Sequence, residues 1–320
     1  MLRIGALLAL IAAIVGAVIF AWGWYGAAEI EEETPFVVSS GSTLTSVARD
    51  LENDGIIASA DAFLLRAKVL GGGDPIQAGE FLFEPGISQA DILDKLQSGD
   101  VIRRFITIPE GMPSIMVYER LMAEDLLTGE IPVPVEGSVL PDTYDFERGE
   151  ERAAVLARMQ AAMQNYLAEA WPKRGNDIAV DNIADAVTLA SIVEKETGVA
   201  RERRMVAGLY SNRVKKGMLL QADPTIIYPI TRGKPLGRRI RQSEIAAVND
   251  YNTYTMTGLP KGPITNPGRE SIAAVLNPAD TDAVYMVADG SGGHAFATTL
   301  EEHNANVEKW YALRRERGEM

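Results

Sequence analysis

Residues 189–197 read Leu-Ala-Ser-Ile-Val-Glu-Lys-Glu-Thr, two carboxylates flanking one lysine at the end of an apolar run. On a helical wheel at about 100° per residue, Glu194 falls about 20° from Ile183, near Val187 and Ala190. Glu196 points the other way, toward the side of Leu189 and Ile192. The helix is apolar nearly all round, so it reads as buried, and acids are out of place on it. A carboxyl group against apolar walls has its pKa raised, because the charged form is poorly solvated. A carboxylic acid that stays neutral near neutral pH is what protonation of a glycosidic oxygen requires. The bland alternative pairs one or both glutamates with Arg201, Arg203 or Arg204 downstream.

A second set of residues sits between glycines and prolines. It comprises Gln221, Asp223, Tyr228, Tyr251, Asn252, Tyr254, Asn266 and His294. Aromatic faces and amides suit sugar rings and their N-acetyl groups, and they also make ordinary loop contacts. Asp223 precedes Pro224 and can orient its loop instead of reacting. Residues 232–241 hold five basic side chains, a solvated loop or a contact for an anionic glycan peptide. Asp289-Gly-Ser-Gly-Gly293 lacks the Gly-Lys-Ser/Thr of a phosphate loop, and no Gly-x-Ser-x-Gly or His-Glu-x-x-His occurs.

The elements that must hold these residues follow from periodicity and caps. In the first hundred residues, strands are expected at 36–38, 77–83 and 101–108. Helices are expected after Thr43, over 59–70, and after Ser88 to Gly99. This is a small α+β module. Longer helices are expected at 150–170, 182–197 and 200–216, then irregular Gly/Pro-rich chain over 217–268. A helix near 269–276, a strand at 283–288 and a last helix capped by Thr299 and Glu302 complete the chain. No internal repeat is visible.

Composition narrows the chemistry. The 320 residues carry 31 Lys+Arg against 44 Asp+Glu, net −13, which disfavours an extended grip on nucleic acid. Absence of cysteine removes disulfides, thiolate metal sites and a cysteine nucleophile, and two histidines are too few for a multi-histidine metal centre. No cofactor and no metal is therefore expected.

Charge is unevenly placed, since residues 4–28 contain no charged side chain. As a helix, 25 residues span about 37 Å against about 30 Å of hydrocarbon. Arg3 lies before the run and Glu29, Glu31, Glu32 and Glu33 after it, which places the bulk of the chain outside the cytoplasm. A cleaved signal peptide ending at Gly26-Ala27-Ala28 competes, but the apolar core is longer than the usual 7–15 residues.

Taken in order, several segments resemble the endolytic murein transglycosylase family of bacterial inner-membrane enzymes. They are Ile108-Pro-Glu-Gly111, Glu136-Gly137 with Pro141-Asp-Thr-Tyr144, and Ala190 to Thr197. Gln221 to Thr225, Tyr251-Asn-Thr-Tyr254 with Gly258-Leu-Pro260, and Ala288-Asp-Gly290 with Gly293-His294 complete the set. Lys261 departs from the second proline frequent after Gly-Leu-Pro. The resemblance implies an α+β protein with a cytoplasmic tip and transmembrane anchor (1–28), a linker (29–35), a LysM-like subdomain (36–105) and a catalytic domain (106–320). It implies Glu194 as catalytic acid/base. Gln221, Asp223, Tyr251, Asn252, Tyr254, Asn266 and His294 are the expected substrate contacts. The implied substrate is the peptidoglycan glycan strand, cut to 1,6-anhydromuramoyl ends so as to terminate elongation beside peptidoglycan synthases. A muramidase-type hydrolase and a non-catalytic wall-binding component are the rivals.

Overall fold

The computed structural model describes residues 2–28 and 30–319. The expected cytoplasmic tip and linker each include one residue outside that range, Met1 and Glu29. The chain forms two compact units, one of residues 1–104 with 145–150 and one of residues 105–144 with 151–320. The first unit therefore takes a short second segment from beyond the expected boundary at 105/106.

The first unit begins with α1 (Leu2–Tyr25), a helix long and apolar enough to cross a membrane. After it come β1 (Thr34–Val38), α2 (Leu44–Asn53), α3 (Ala60–Leu70), β2 (Gly79–Phe83) and α4 (Gln89–Ser98). β1 and β2 pair antiparallel with Phe36 opposite Phe81. Alternation along the pair puts Phe36, Val38, Phe81 and Phe83 into a core with Val47, Leu51, Phe63, Ile92 and Leu96. Capping boxes start α2 at Thr43 with Ser46 and α4 at Ser88 with Asp91. Trp24 of α1 joins the same core, 2% exposed, its ring 5.7 Å from that of Phe63. Glu80 is buried between Arg104 (2.6 Å) and Arg148 (3.0 Å). Burial opposes its charge, but the two guanidiniums prevail and hold it below the usual carboxylate range.

The division between units falls within β3 (Arg104–Thr107) and β4 (Thr143–Phe146). The second unit is mainly helical: α5 (Ser114–Met122), α6 (Arg152–Ala170), α7 (Ile183–Glu196), α8 (Arg203–Lys215), α9 (Asp223–Thr231), α10 (Gln242–Ile245) and α11 (Arg269–Leu276). A hairpin of β5 (Tyr285–Ala288) and β6 (His294–Ala297) and the last helix α12 (Leu300–Glu316) follow. α7 lies at the centre, packed on α8, α9 and α11. Buried Leu189, Ile192, Val206, Leu209, Leu220, Ile272 and Val275 form the core around it. Thr299 and Glu302 cap α12 as a reciprocal box.

Three local expectations change. Residues 217–268 are not irregular throughout, because α9 and α10 lie within them. Pro224 stands in the first turn of α9, where its missing N–H costs nothing, and Pro229 is carried inside the same helix. The strand at 283–288 starts at Tyr285 and gains β6 as a partner. α5 follows Pro113, which occupies its N-cap without a side-chain bond, so no polar cap announced it.

Candidate active site

α7 starts at Asn182, whose side chain accepts the N–H of Asp185 at 2.9 Å. Eight consecutive residues, Ala186 to Val193, are buried. A helix so enclosed can present polar groups only at its end, and there stand Glu194, Lys195 and Glu196. Two separate cavities flank this end.

Glu196 lines a cavity of about 490 Å³ with Tyr210, Arg213, Gln221, Asp223, Tyr254, Tyr285 and His303. Burial raises its pKa to about 7, and the neighbouring Asp223 charge adds to the effect. A hydrogen bond from Tyr210 and the charge of Arg213 oppose the rise without cancelling it. Near pH 7 this carboxyl group can both give and take a proton.

The walls are held by local chemistry. Arg213 on α8 is buried, and its guanidinium donates to the carbonyls of Val284 (2.6 Å) and Leu220 (2.7 Å). It thus brings a fixed positive charge to the cavity. Tyr254 donates its hydroxyl to Asp223 Oδ1 at 2.6 Å. The segments carrying these residues are laced together. Gln221 N–H donates to Thr253 O (3.1 Å), Ala222 N–H to Thr253 Oγ1 (3.0 Å), and the Thr225 and Thr253 hydroxyls meet at 2.9 Å. Gln221 has φ of 52°, a left-handed conformation rare outside glycine, and its Oε1 lies 3.5 Å from Arg213 Nη1. His303 is lowered in pKa by burial and then by Arg213, so it is a neutral imidazole at pH 7.

Glu194 lies elsewhere. Its Oε2 accepts the N–H of Gly268 at 2.9 Å, just before α11. Its neighbour Glu110 is raised in pKa, first by burial and then by the Glu194 charge. Glu110 is 3.7 Å from Arg203, which takes up one arginine the sequence offered to the glutamate pair. A side chain at Gly268 would meet the Glu110 carboxylate, which would have to move aside. The second cavity, about 460 Å³, is largely apolar, with Met112, Met116, Ile227, Leu236 and Ile264 beside Glu110 and Lys195.

Of the expected contact residues, Gln221, Asp223 and Tyr254 come together, and they do so around Glu196. The others stand apart from that cavity. Asn252 is fully buried, donating to the carbonyls of Ile245 and Ala247 and accepting the N–H of Tyr254. Asn266 is also fully buried and donates to Met112 O (2.9 Å) and Ser114 Oγ (3.1 Å) while accepting Val139 N–H (3.1 Å). Both amides are committed to the protein itself. Tyr251 packs its ring 4.8 Å from Tyr228. His294 Nδ1 is 2.9 Å from Glu202 Oε2 at the start of β6. Tyr210, Arg213, Tyr285 and His303 were not among the expected residues. Arg213, set among apolar residues near the end of α8, was the one signal the sequence carried for them.

A carboxyl group with a pKa raised to about 7, in an open cavity of phenols, an amide and a buried guanidinium, is chemically able to exchange a proton with a polar ligand. The chain belongs to the YceG-like family, whose family model matches residues 36–309. It is 28% identical over 314 residues to an endolytic murein transglycosylase of Bacillus subtilis, covering 88% of this chain and 85% of that one. It is 27% identical over 320 residues to an endolytic murein transglycosylase of Streptococcus pneumoniae, covering 84% of this chain and 57% of that longer protein. The crystal structure of a yceG-like protein from Listeria monocytogenes is similar, with a TM-score of 0.52 and 25% identity, covering 86% of this chain and 99% of that one.

Proposed function

We propose that this protein is an endolytic peptidoglycan lytic transglycosylase, with Glu196 as its general acid and base. The observation that carries the residue assignment is the Glu196 carboxyl, raised to about 7 in a cavity shared with Gln221, Asp223 and Tyr254. The names of its relatives supply the substrate, murein. The choice of Glu194, which the family resemblance implied, is weakened by its hydrogen bond to Gly268 N–H and by its absence from the lining of that cavity.

Protonated Glu196 gives its proton to the oxygen leaving C1 of N-acetylmuramic acid, and the bond to N-acetylglucosamine breaks. The resulting carboxylate takes the proton of the muramoyl C6 hydroxyl, whose oxygen bonds to C1. The product is a 1,6-anhydro end, and no water is consumed. An internal nucleophile has a high effective molarity, so a second carboxylate is not needed. Asp223, engaged by Tyr254, keeps Glu196 protonated and its wall in place. Gln221 and Tyr254 offer amide and phenol groups to the sugar.

α1 serves as the anchor in the cytoplasmic membrane, with the chain after it outside the cytoplasm. Such placement suits the termination of strands emerging from synthases. Asp223 is also what favours a hydrolytic reading, since it could activate water. Digestion of purified sacculi followed by mass spectrometry separates the two, because a hydrolytic product is heavier by one water. The expected result is anhydro ends with wild type and Glu194→Gln, and none with folded Glu196→Gln. Anhydro ends from Glu196→Gln and none from Glu194→Gln would return the role to Glu194. Intact strands with wild type would leave a wall-binding component.

A further inference from the structure

α3 of the first unit exposes large apolar side chains that the core does not need. Leu65 is 56% exposed and Val69 62%, while Phe63 and Ala67 on the opposite side are buried; Leu70, 37% exposed at the helix end, lies on the side of Phe63. From Phe63 to Leu70 the helix carries Arg66 and Lys68 and no acid, in a chain of net charge −13. Exposed apolar side chains flanked by basic ones suit the boundary between lipid headgroups and acyl chains, where a basic stem can reach up to phosphate.

Two contacts show how α3 runs beside α1. Phe63 meets Trp24, and one turn later the guanidinium of Arg66 lies 5.8 Å from the Phe20 ring. Advancing along α3 thus means moving back along α1, away from its C-terminal end. Arg66 also donates to Gln89 Oε1 at 3.2 Å, and it comes so close to Gly23 that a side chain there would strike it. Hydrocarbon about 30 Å thick takes up about 20 helical residues, so counted from Ile4 the apolar layer ends near Gly23. Arg66 then stands at the boundary, where a guanidinium meets phosphates, and Val69 and Leu70 lie about 5 Å further along α3, on the apolar side.

We propose that α3 is a second membrane contact, with the face of Leu65 and Val69 inserted at the headgroup–acyl boundary and Arg66 and Lys68 paired with anionic phospholipid. The surface is continuous with the anchor, and the inference rests on the reading of α1 as that anchor. It makes the first unit a body held on the bilayer instead of one swinging from a tether.

The absence of cysteine makes the test direct. Val69→Cys and Ile11→Cys in the full chain, each carrying an environment-sensitive fluorophore, are reconstituted into vesicles containing phosphatidylglycerol. Brominated acyl chains serve as the quencher. The expected result is blue-shifted emission and quenching at both positions. Quenching at Ile11 but water-like, unquenched emission at Val69 overturns the proposal and leaves the anchor standing. A protein partner as the true occupant of this face gives that same result in vesicles of lipid alone. Unquenched emission at Ile11 overturns the proposal together with the anchor.

Discussion

Tyr254 donates its hydroxyl to Asp223 across 2.6 Å, and the acceptor is the carboxylate whose charge helps to keep Glu196 protonated. The two residues come from segments 31 positions apart that are tied by the Thr225–Thr253 hydroxyl contact. Asp223→Asn removes the charge and keeps a side chain able to accept from Tyr254. The Glu196 pKa should fall by about one unit, as expected on loss of a nearby like charge. The alkaline limb of kcat/KM should move to lower pH by the same amount. An unchanged pH profile would detach Asp223 from the acid.

The same carboxyl group links stability to pH. Its pKa is about 7 in the folded protein, against about 4.3 for an unperturbed glutamate. A raised carboxyl favours the folded state fully below the unfolded value and loses that contribution as pH rises through 7. The free energy of unfolding should therefore decline between about pH 4 and 7 and level off above that. In Glu196→Gln this part of the decline should vanish, as read by denaturant titrations at several pH values.

Asn266 joins three stretches of chain by its side chain alone. Asn266→Ala leaves Met112 O, Ser114 Oγ and Val139 N–H without this partner in a buried place. The cost should be about 3–5 kcal/mol, visible as a lowered denaturation midpoint. If sugar contact were its role, activity would fall with stability unchanged.

Arg152 is buried, and its three guanidinium nitrogens donate to the carbonyls of Leu121, Gly129 and Glu124 at 2.7, 2.7 and 2.8 Å. A lysine cannot reproduce that planar fork. Arg152→Lys should lose about 2–4 kcal/mol of stability, by the loss of charge-assisted bonds to buried acceptors. Thermal unfolding of the variant is the measurement.

Gln221 holds a left-handed backbone at a cavity wall. Gln221→Gly relieves that backbone and deletes the amide. Stability should stay within about 1 kcal/mol of wild type, while turnover on glycan strands drops. A loss of both together would make the residue a structural one.

What was legible in the sequence was what is settled locally. Thr43, Ser88 and Thr299 announce their helices because a cap needs only residues within one turn. α9 was hidden because Pro224 and Pro229 read as breakers, although a proline in the first turn does no harm. Asn252 and Asn266 carry the same amide whether it holds a sugar or a backbone, and only the tertiary fold assigns the partner. The wheel separated Glu194 from Glu196 correctly, but it could not say which side opened into a polar cavity. That depends on Arg213, whose acceptor Val284 lies 71 residues away.

Trp24 places a constraint on the first unit. One of the largest side chains in its core is supplied by the helix that precedes it, so that core cannot be completed without α1. A secreted domain freed by cleavage at residue 28 would leave a hole of indole size. The final packing of this unit thus depends on keeping α1, whose Trp24 fills its core.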